Sequence, residues 1–206
     1  MRAPRAAAPA PRDRRRYNAA SPLIALPMLF VDIARALLDI LGSLLVGLLL
    51  LRAWAAAIGM PARNPLAHFA RALTDWLVQP LGRVIPSRGR IEWSALLAAL
   101  IATVVIVAVK VAVSGLSIAW DLVLVESVRQ LLHWALTLVI WVTLIYVVIS
   151  WVNPLAPVAP ALSMLLRPLL EPIQRILPAI GGIDLSPMAL LIVVYLLQMI
   201  ISRIVI

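Results

Sequence analysis

A chain of 206 residues in which 64% are apolar and only 13% are charged cannot cover a water-soluble sphere, because about a quarter of an average globular chain is charged. The net charge of +9, mostly from arginine, suits contact with anionic lipid headgroups. Nucleic acid is not an expected partner, because the basic residues do not gather on one soluble domain. The absence of cysteine excludes disulfides, thiolate metal sites and thiol catalysis. We therefore expect a protein whose solvent is the lipid bilayer.

Residues 1–22 are rich in alanine, proline and arginine. Such a segment buries too little apolar surface to offset the entropy of ordering it, so we expect a disordered tail there. A solvated tail is favoured over a polybasic membrane anchor or an address signal. A cleaved signal peptide is not expected, because the apolar stretch that follows is too long. The hydrophobic segment begins at Met28, so Met1 and Met28 both remain open as the start position.

Four stretches are long and apolar enough to cross a membrane, which takes about 20 mostly apolar residues. They are residues 28–54, 94–116, 132–151 and 187–206. A linker at 117–131 separates the second span from the third. Small residues on the first two spans predict close packing between helices. They are Gly42, Ser43 and Gly47 on the first span and Ala95, Ala99 and Ala102 on the second.

Two further segments, residues 64–80 and 153–178, have the pattern of amphipathic helices that lie in the membrane interface. In the first, apolar side chains recur at helical spacing opposite a polar face. These apolar residues are Leu66, Phe69, Leu73, Trp76 and Leu77. The second segment contains four prolines, so we expect it to be broken into pieces. These prolines are Pro157, Pro160, Pro168 and Pro172.

The two halves of the chain share one motif, P-x2-R-x2-P-x2-G-x-I-[ED]-x-S, which predicts a tandem repeat of residues 23–116 and 132–206. In the first half the motif consists of Pro80, Arg83, Pro86, Gly89, Ile91, Glu92 and Ser94. In the second half it consists of Pro172, Arg175, Pro178, Gly181, Ile183, Asp184 and Ser186. Each interfacial segment opens with Asn-Pro-Leu, at Asn64 and Asn153. Because each half has two spans, the halves share one orientation. We predict an all-α membrane protein with four transmembrane helices as two parallel tandem repeats, each a span, an interfacial segment and a second span.

The shared residues have predicted structural roles. The asparagine of each copy is expected to cap the interfacial helix, and the following proline suits its first turn. The two motif prolines are expected to bracket a turn that cannot continue as helix. The hydroxyls of Ser94 and Ser186 are expected to cap the second span of each half. The arginine of each copy could pair with the acidic residue nine positions later, or with a lipid phosphate.

The stretches Arg83-Val84-Ile85-Pro86 and Gly181-Gly182-Ile183-Asp184-Leu185-Ser186-Pro187 resemble the repeated signature of the YggT family. The resemblance covers residues 28–206, and the first copy departs from it at Ser87-Arg88-Gly89-Arg90. It implies a multi-pass protein of the bacterial inner membrane. Members of the family have been linked to membrane-complex or cofactor assembly, to cell division and envelope organisation, and to growth under osmotic stress.

Four charged residues within the predicted spans are candidate intramembrane polar groups. Asp32, Arg35 and Asp39 lie on one stripe of the first span, and Lys110 lies on the second. They could line an ion path or proton relay, because charges at depth are costly. The favoured interpretation places Asp32 and Arg35 at the interface and pairs Asp39 with Arg35 along the helix. Lys110 can extend its ammonium toward the headgroups.

The sequence has no nucleophile-base-acid set, phosphate loop or metal-ligand spacing, so we expect neither an enzyme nor a cofactor. The two histidines, His68 and His133, are interpreted as interfacial residues rather than haem ligands. The arginines balance nearly evenly across the membrane, and we expect the repeat loops on the cytoplasmic side. The expected function is an accessory factor in membrane-complex assembly, envelope organisation or cell division. Other membrane proteins are then expected partners, self-association stays open, and the alternative is permeation of small ions or osmolytes.

Overall fold

The computed structural model describes residues 22–85, 89–115, 117–177 and 184–203, with the backbone alone for 22–28. The regular elements within these ranges are six α-helices. They are α1 Pro22–Ala57, α2 Pro65–Val84, α3 Trp93–Val113, α4 Trp120–Val152, α5 Ala159–Ile176 and α6 Ser186–Arg203. The predicted tail lies outside the described residues except for its last residue. Four motif residues also lie outside them, namely Pro86, Pro178, Gly181 and Ile183, as does Gly182 of the family signature.

The prediction of an all-α protein with four membrane spans is confirmed, because α1, α3, α4 and α6 are long and apolar enough to cross a bilayer. The third span differs from its prediction, since α4 begins at Trp120 and takes in most of the expected linker at 117–131. Three charged residues of the expected linker are accommodated in this first part of α4. Glu126 and Arg129 form an ion pair one helical turn apart. Asp121 lies in the first turn of the helix, where the helix dipole stabilises its negative charge.

The bundle is built around α1 and α4, which contact each other and run in the same direction. Gly42 of α1 meets Trp134 of α4, and further along both helices Leu51 and Val142 belong to one buried cluster. Helix α3 packs against both α1 and α4, whereas α6 packs against α4. The two halves therefore present the same helix order, a long span, an amphipathic helix and a second span.

Helices α2 and α5 cover the same end of this bundle. Helix α2 contacts α1 and α3, and α5 contacts α4 and α6. Ala67 and Ala70 of α2 lie in one buried cluster with Leu165 and Leu166 of α5 and with Leu51 near the end of α1. Both amphipathic helices thus lie on one side of the spans, as the even number of spans in each half requires.

Helix α2 packs a face of mostly small side chains against the bundle. Its buried residues are Ala67, Ala70, Thr74 and Val78. Phe69, Leu73 and Trp76 point outward, and Trp76 is 66% exposed. Small side chains let the helix lie close to α1 and α3. The large apolar ones then face the surroundings, which in a membrane interface are lipid.

The predicted break of the second interfacial segment occurs before α5, where Pro157 lies in a turn, and not at the later prolines. Pro80 lies inside α2, and Pro168 and Pro172 lie inside a continuous α5. Each proline removes one amide donor and costs about 3 kcal/mol in a helix interior. Burial offsets this in α5, which packs one apolar face onto the bundle. The buried residues are Ala161, Leu162, Leu165, Leu166 and Leu170.

The two Asn-Pro-Leu segments have different roles. Asn64 is the N-cap of α2, where its side-chain oxygen accepts a hydrogen bond from the Leu66 amide at 3.0 Å. Asn153 instead ends α4, and its own amide donates to the Ile149 carbonyl at 2.9 Å. The N-cap of α5 is Val158, so the expected cap at Asn153 is wrong. Turns between Asn153 and Val158 replace the first part of the predicted interfacial segment.

Candidate functional site

A buried arginine joins three elements of the first half. Arg52 lies near the end of α1 and its side chain is only 8% exposed. Its Nε and Nη2 both donate to Oε1 of Glu92, at 2.9 and 2.7 Å. Its Nη1 donates to Oδ1 of Asp75 at 2.7 Å and to Oγ1 of Thr74 at 3.0 Å. We call Arg52, Thr74, Asp75 and Glu92 the arginine clamp, because it ties α1 to α2 and to the start of α3.

The clamp corrects the expected pair between Arg83 and Glu92. Glu92 is the N-cap of α3 and faces Arg52, whereas Arg83 is exposed in the last turn of α2. Sequence reasoning missed the role of Arg52, although a signal was present. A lone arginine at the end of a long run of leucines must find partners, because an unpaired charge there is costly.

The matching residues of the second half form a different arrangement. Asp184 accepts hydrogen bonds from the Ser186 amide and from Nε2 of Gln174, both at 2.9 Å. Arg175 pairs instead with Glu171 at 3.0 Å, and Arg167 approaches the same carboxylate at 3.8 Å. Of the two alternatives for Arg175, the pair with Asp184 is therefore wrong. Arg175 is 76% exposed, so most of its hydrogen-bonding capacity faces outward.

Asp184 caps α6, and its hydrogen bonds change the pKa of its carboxyl group. Partial burial works against its charged form, but hydrogen bonds from Ser186 and Gln174 outweigh that effect and hold its pKa below the ordinary value. The carboxylate thus does the capping that was expected of the Ser186 hydroxyl. Ser94 is not a cap either, because it is the second residue of α3 and is buried.

A second charged cluster lies at the opposite end of the bundle. Nζ of Lys110 on α3 donates to Oδ1 of Asp39 on α1 at 2.7 Å. Arg35, one turn earlier on α1, donates through Nε to the hydroxyl of Ser114 at 3.0 Å. The expected pairing of Arg35 with Asp39 along the helix is therefore wrong. Asp32 is exposed on the preceding turn of α1.

The two charged clusters are separated by an apolar zone with the depth of a membrane. Arg35 and Arg52 lie about 26 Å apart along α1, at roughly 1.5 Å per residue, against about 30 Å for the hydrocarbon core. Buried hydroxyls between the clusters bond within their own helices. Thr103 donates to the Ala99 carbonyl and Thr143 to the Val139 carbonyl, both at 2.7 Å. These hydroxyls therefore serve packing, in the way typical of spans.

Comparison with known proteins agrees with the helix order. The CCB3/YggT family model matches residues 31–113 and again residues 125–205. An uncharacterized protein YggT of Escherichia coli K12 is 39% identical over 154 residues, which cover 73% of this chain and 79% of the relative. A protein of Vibrio alginolyticus, described as an uncharacterized protein in the proC 3′ region, is 34% identical over 160 residues, or 76% of this chain and 86% of the relative.

An uncharacterized protein of Pseudomonas aeruginosa is 30% identical over 175 residues, which cover 80% of this chain and 86% of the relative. No solved structure matches this chain. The family model covers both three-helix halves, and several relatives align over most of their own length. This chain therefore belongs to the CCB3/YggT family.

Proposed function

We propose that this protein is a non-enzymatic accessory factor of the bacterial inner membrane that supports the assembly or organisation of a membrane complex, in processes such as envelope organisation or cell division. The observation that carries the proposal is the outward face of α2, which is held in place while its large apolar residues stay exposed. The arginine clamp holds α2 against α1 and α3. Phe69 and Trp76 are 55% and 66% exposed. A rigid helix that presents aromatic side chains is suited to contact with lipid or with another membrane protein.

Exposed arginines add to this face at the same end of the bundle. Arg83 ends α2, and Arg167 and Arg175 lie on α5. The side chains of Arg167 and Arg175 are 78% and 76% exposed. Guanidinium groups bind carboxylates and phosphates in a planar fork, so they suit both acidic partners and lipid headgroups. We propose that this end faces the cytoplasm, as expected above for the repeat loops.

The test is recovery of complexes after crosslinking in the membrane, followed by mild detergent extraction and mass spectrometry. We expect one reproducible membrane complex with the wild-type chain. Replacing Arg83 and Arg175 together with alanine should remove it. Arg203→Ala is the matched control, because Arg203 is an exposed arginine at the opposite end of the bundle. Equal recovery from the double variant and the control would refute the proposal.

A second candidate function is permeation of small ions or osmolytes. It is favoured by a cleft of about 350 Å³ that contains the Asp39–Lys110 pair and opens at one end of the bundle. Ion flux in liposomes that Asp39→Asn abolishes would support this function. Absence of flux from well-folded wild-type protein would remove it.

A further inference from the structure

The cleft at the end opposite α2 and α5 has a composition that points to a ligand. Its volume, about 350 Å³, falls in the range of small-molecule sites, which is roughly 300–1,000 Å³. Three helices contribute to its walls, so its shape depends on the fold rather than on one loop. The lining residues are Arg35, Asp39, Val107, Lys110, Val111, Ser114 and Glu126.

Arg35 is the charged lining residue of the cleft that forms no ion pair with another described residue. Lys110 is neutralised by Asp39 at 2.7 Å, and Glu126 is neutralised by Arg129. Arg35 pairs with no carboxylate among the described residues, and it donates to a hydroxyl alone. A guanidinium without an ion pair at the edge of a hydrocarbon core is costly, so a bound anion would stabilise Arg35.

Ser114 shows how Arg35 is held ready for that anion. The Ser114 hydroxyl donates to the carbonyl of Lys110 at 2.6 Å, which leaves its oxygen free to accept from Arg35. The Nε and one Nη of Arg35 are directed to this oxygen. The remaining guanidinium donors are available to a second group, and a guanidinium fork matches the oxygens of a phosphate.

The position of Arg35 favours a ligand at the membrane surface. Arg35 lies about 26 Å along α1 from Arg52, so the two residues are near opposite boundaries of a hydrocarbon core of about 30 Å. Beside the cleft, Ile33 and Leu37 of α1 are 48% and 53% exposed and would contact acyl chains. A phosphate reached from this depth belongs either to a phospholipid headgroup or to a soluble phosphate ester.

We propose that this cleft binds a phosphate ester group through Arg35 and Ser114, on the side of the membrane opposite the amphipathic helices. The proposal does not depend on the accessory role proposed above, because that role rests on the other end of the bundle. It rests on the Arg35 guanidinium, which has no ion pair within the described part of the chain, on the hydroxyl that orients it, and on the cleft between three helices.

The test uses the full chain, purified, delipidated and analysed by native mass spectrometry. One titration adds phosphatidylglycerol in detergent, and a second adds glycerol 3-phosphate. Arg35→Gln is expected to weaken binding roughly tenfold or more, as expected for the loss of charge-assisted hydrogen bonds. Arg203→Gln is the matched control, since it removes an exposed arginine at the same end of the bundle but outside the cleft, and it should bind as the wild type does.

Val111→Phe is a second variant that fills the cleft and keeps every charge. It should also lose binding, and its elution volume and thermal unfolding show whether the fold is retained. If the wild type binds phosphatidylglycerol but not glycerol 3-phosphate, the ligand is a phospholipid headgroup. If it binds both with equal affinity, the ligand is a soluble phosphate ester. The proposal would be overturned if folded Arg35→Gln and Val111→Phe bound these ligands with the same affinity as the wild type.

Discussion

Replacing Arg52 with methionine keeps an unbranched side chain in place and removes the guanidinium from the arginine clamp. Glu92, whose side chain is 17% exposed, then loses its cation in a largely buried position. Asp75 is 42% exposed and can be solvated by water, so the loss of its ion pair should lower the free energy of unfolding less. Breaking a buried pair on one side costs about 3–5 kcal/mol, and the partial exposure of the carboxylates places the expected loss near the lower limit, about 3 kcal/mol.

The assay is equilibrium unfolding of detergent-solubilised protein, monitored by circular dichroism as the denaturing detergent fraction rises. Arg167→Met is the matched control, because Arg167 is 78% exposed and its ion pair at 3.8 Å should contribute less than about 1 kcal/mol. A third variant, Arg52→Met with Glu92→Gln, removes both charges. It should recover part of the lost stability, since no isolated charge then remains buried.

The arginine clamp also determines which helix should be destabilised first when Arg52 is replaced. Loss of Arg52 should release α2 from the bundle first, because two of the three residues that the guanidinium contacts lie on α2. Amide hydrogen exchange should therefore accelerate in α2 before it does in α5. Stability within about 1 kcal/mol of the wild type, or equal protection of the two amphipathic helices, would refute the reasoning.

Three other predictions concern helix packing, pH and orientation. A Cβ at Gly42 would lie 2.8 Å from the indole of the facing helix, whereas nothing lies within 4 Å of one at Gly47. Gly42→Ala should therefore lower thermal stability by about 1–3 kcal/mol and Gly47→Ala should not, and equal melting temperatures would contradict this. The pKa of Asp184 is lowered, so its stabilising contribution is present above its unfolded value and is lost as pH falls through the folded one. Asp184→Asn keeps a capping oxygen and should lose less stability on acidification than the wild type; an equal loss would contradict this. Because the chain has no cysteine, an impermeant maleimide added to spheroplasts should label Ser202→Cys and not Ser163→Cys, and the reverse would invert the proposed orientation.

Most of the fold could be predicted from the sequence because the membrane imposes simple requirements. A span needs a long apolar run, and the four runs that meet this condition became the four long helices. Boundaries were less predictable where charges could be paired locally. Glu126 and Arg129 interrupt the apolar pattern of α4, but their ion pair lets the helix extend back to Trp120.

The partners of charged residues could not be predicted, because they depend on which helices meet. Spacing along one helix suggested that Arg35 pairs with Asp39, yet each finds a partner on or next to α3. Similarly, Glu92 lies close to Arg83 in sequence but meets Arg52, forty residues away. Local spacing predicts only neighbours on one surface. The approach of α3 to α1 is set by small residues whose packing is a property of the assembled bundle.

The two halves hold their amphipathic helices by different means, although their motifs are alike. Helix α2 buries two alanines, a threonine and a valine, so it offers little apolar contact and needs the polar clamp at Arg52. Helix α5 buries four leucines, and its arginines stay at the surface. Replacement of the arginines should therefore loosen the first half and spare the second. The motif acid follows the same division, since Glu92 pairs with an arginine of α1 whereas Asp184 caps α6 and accepts from the neutral amide of Gln174.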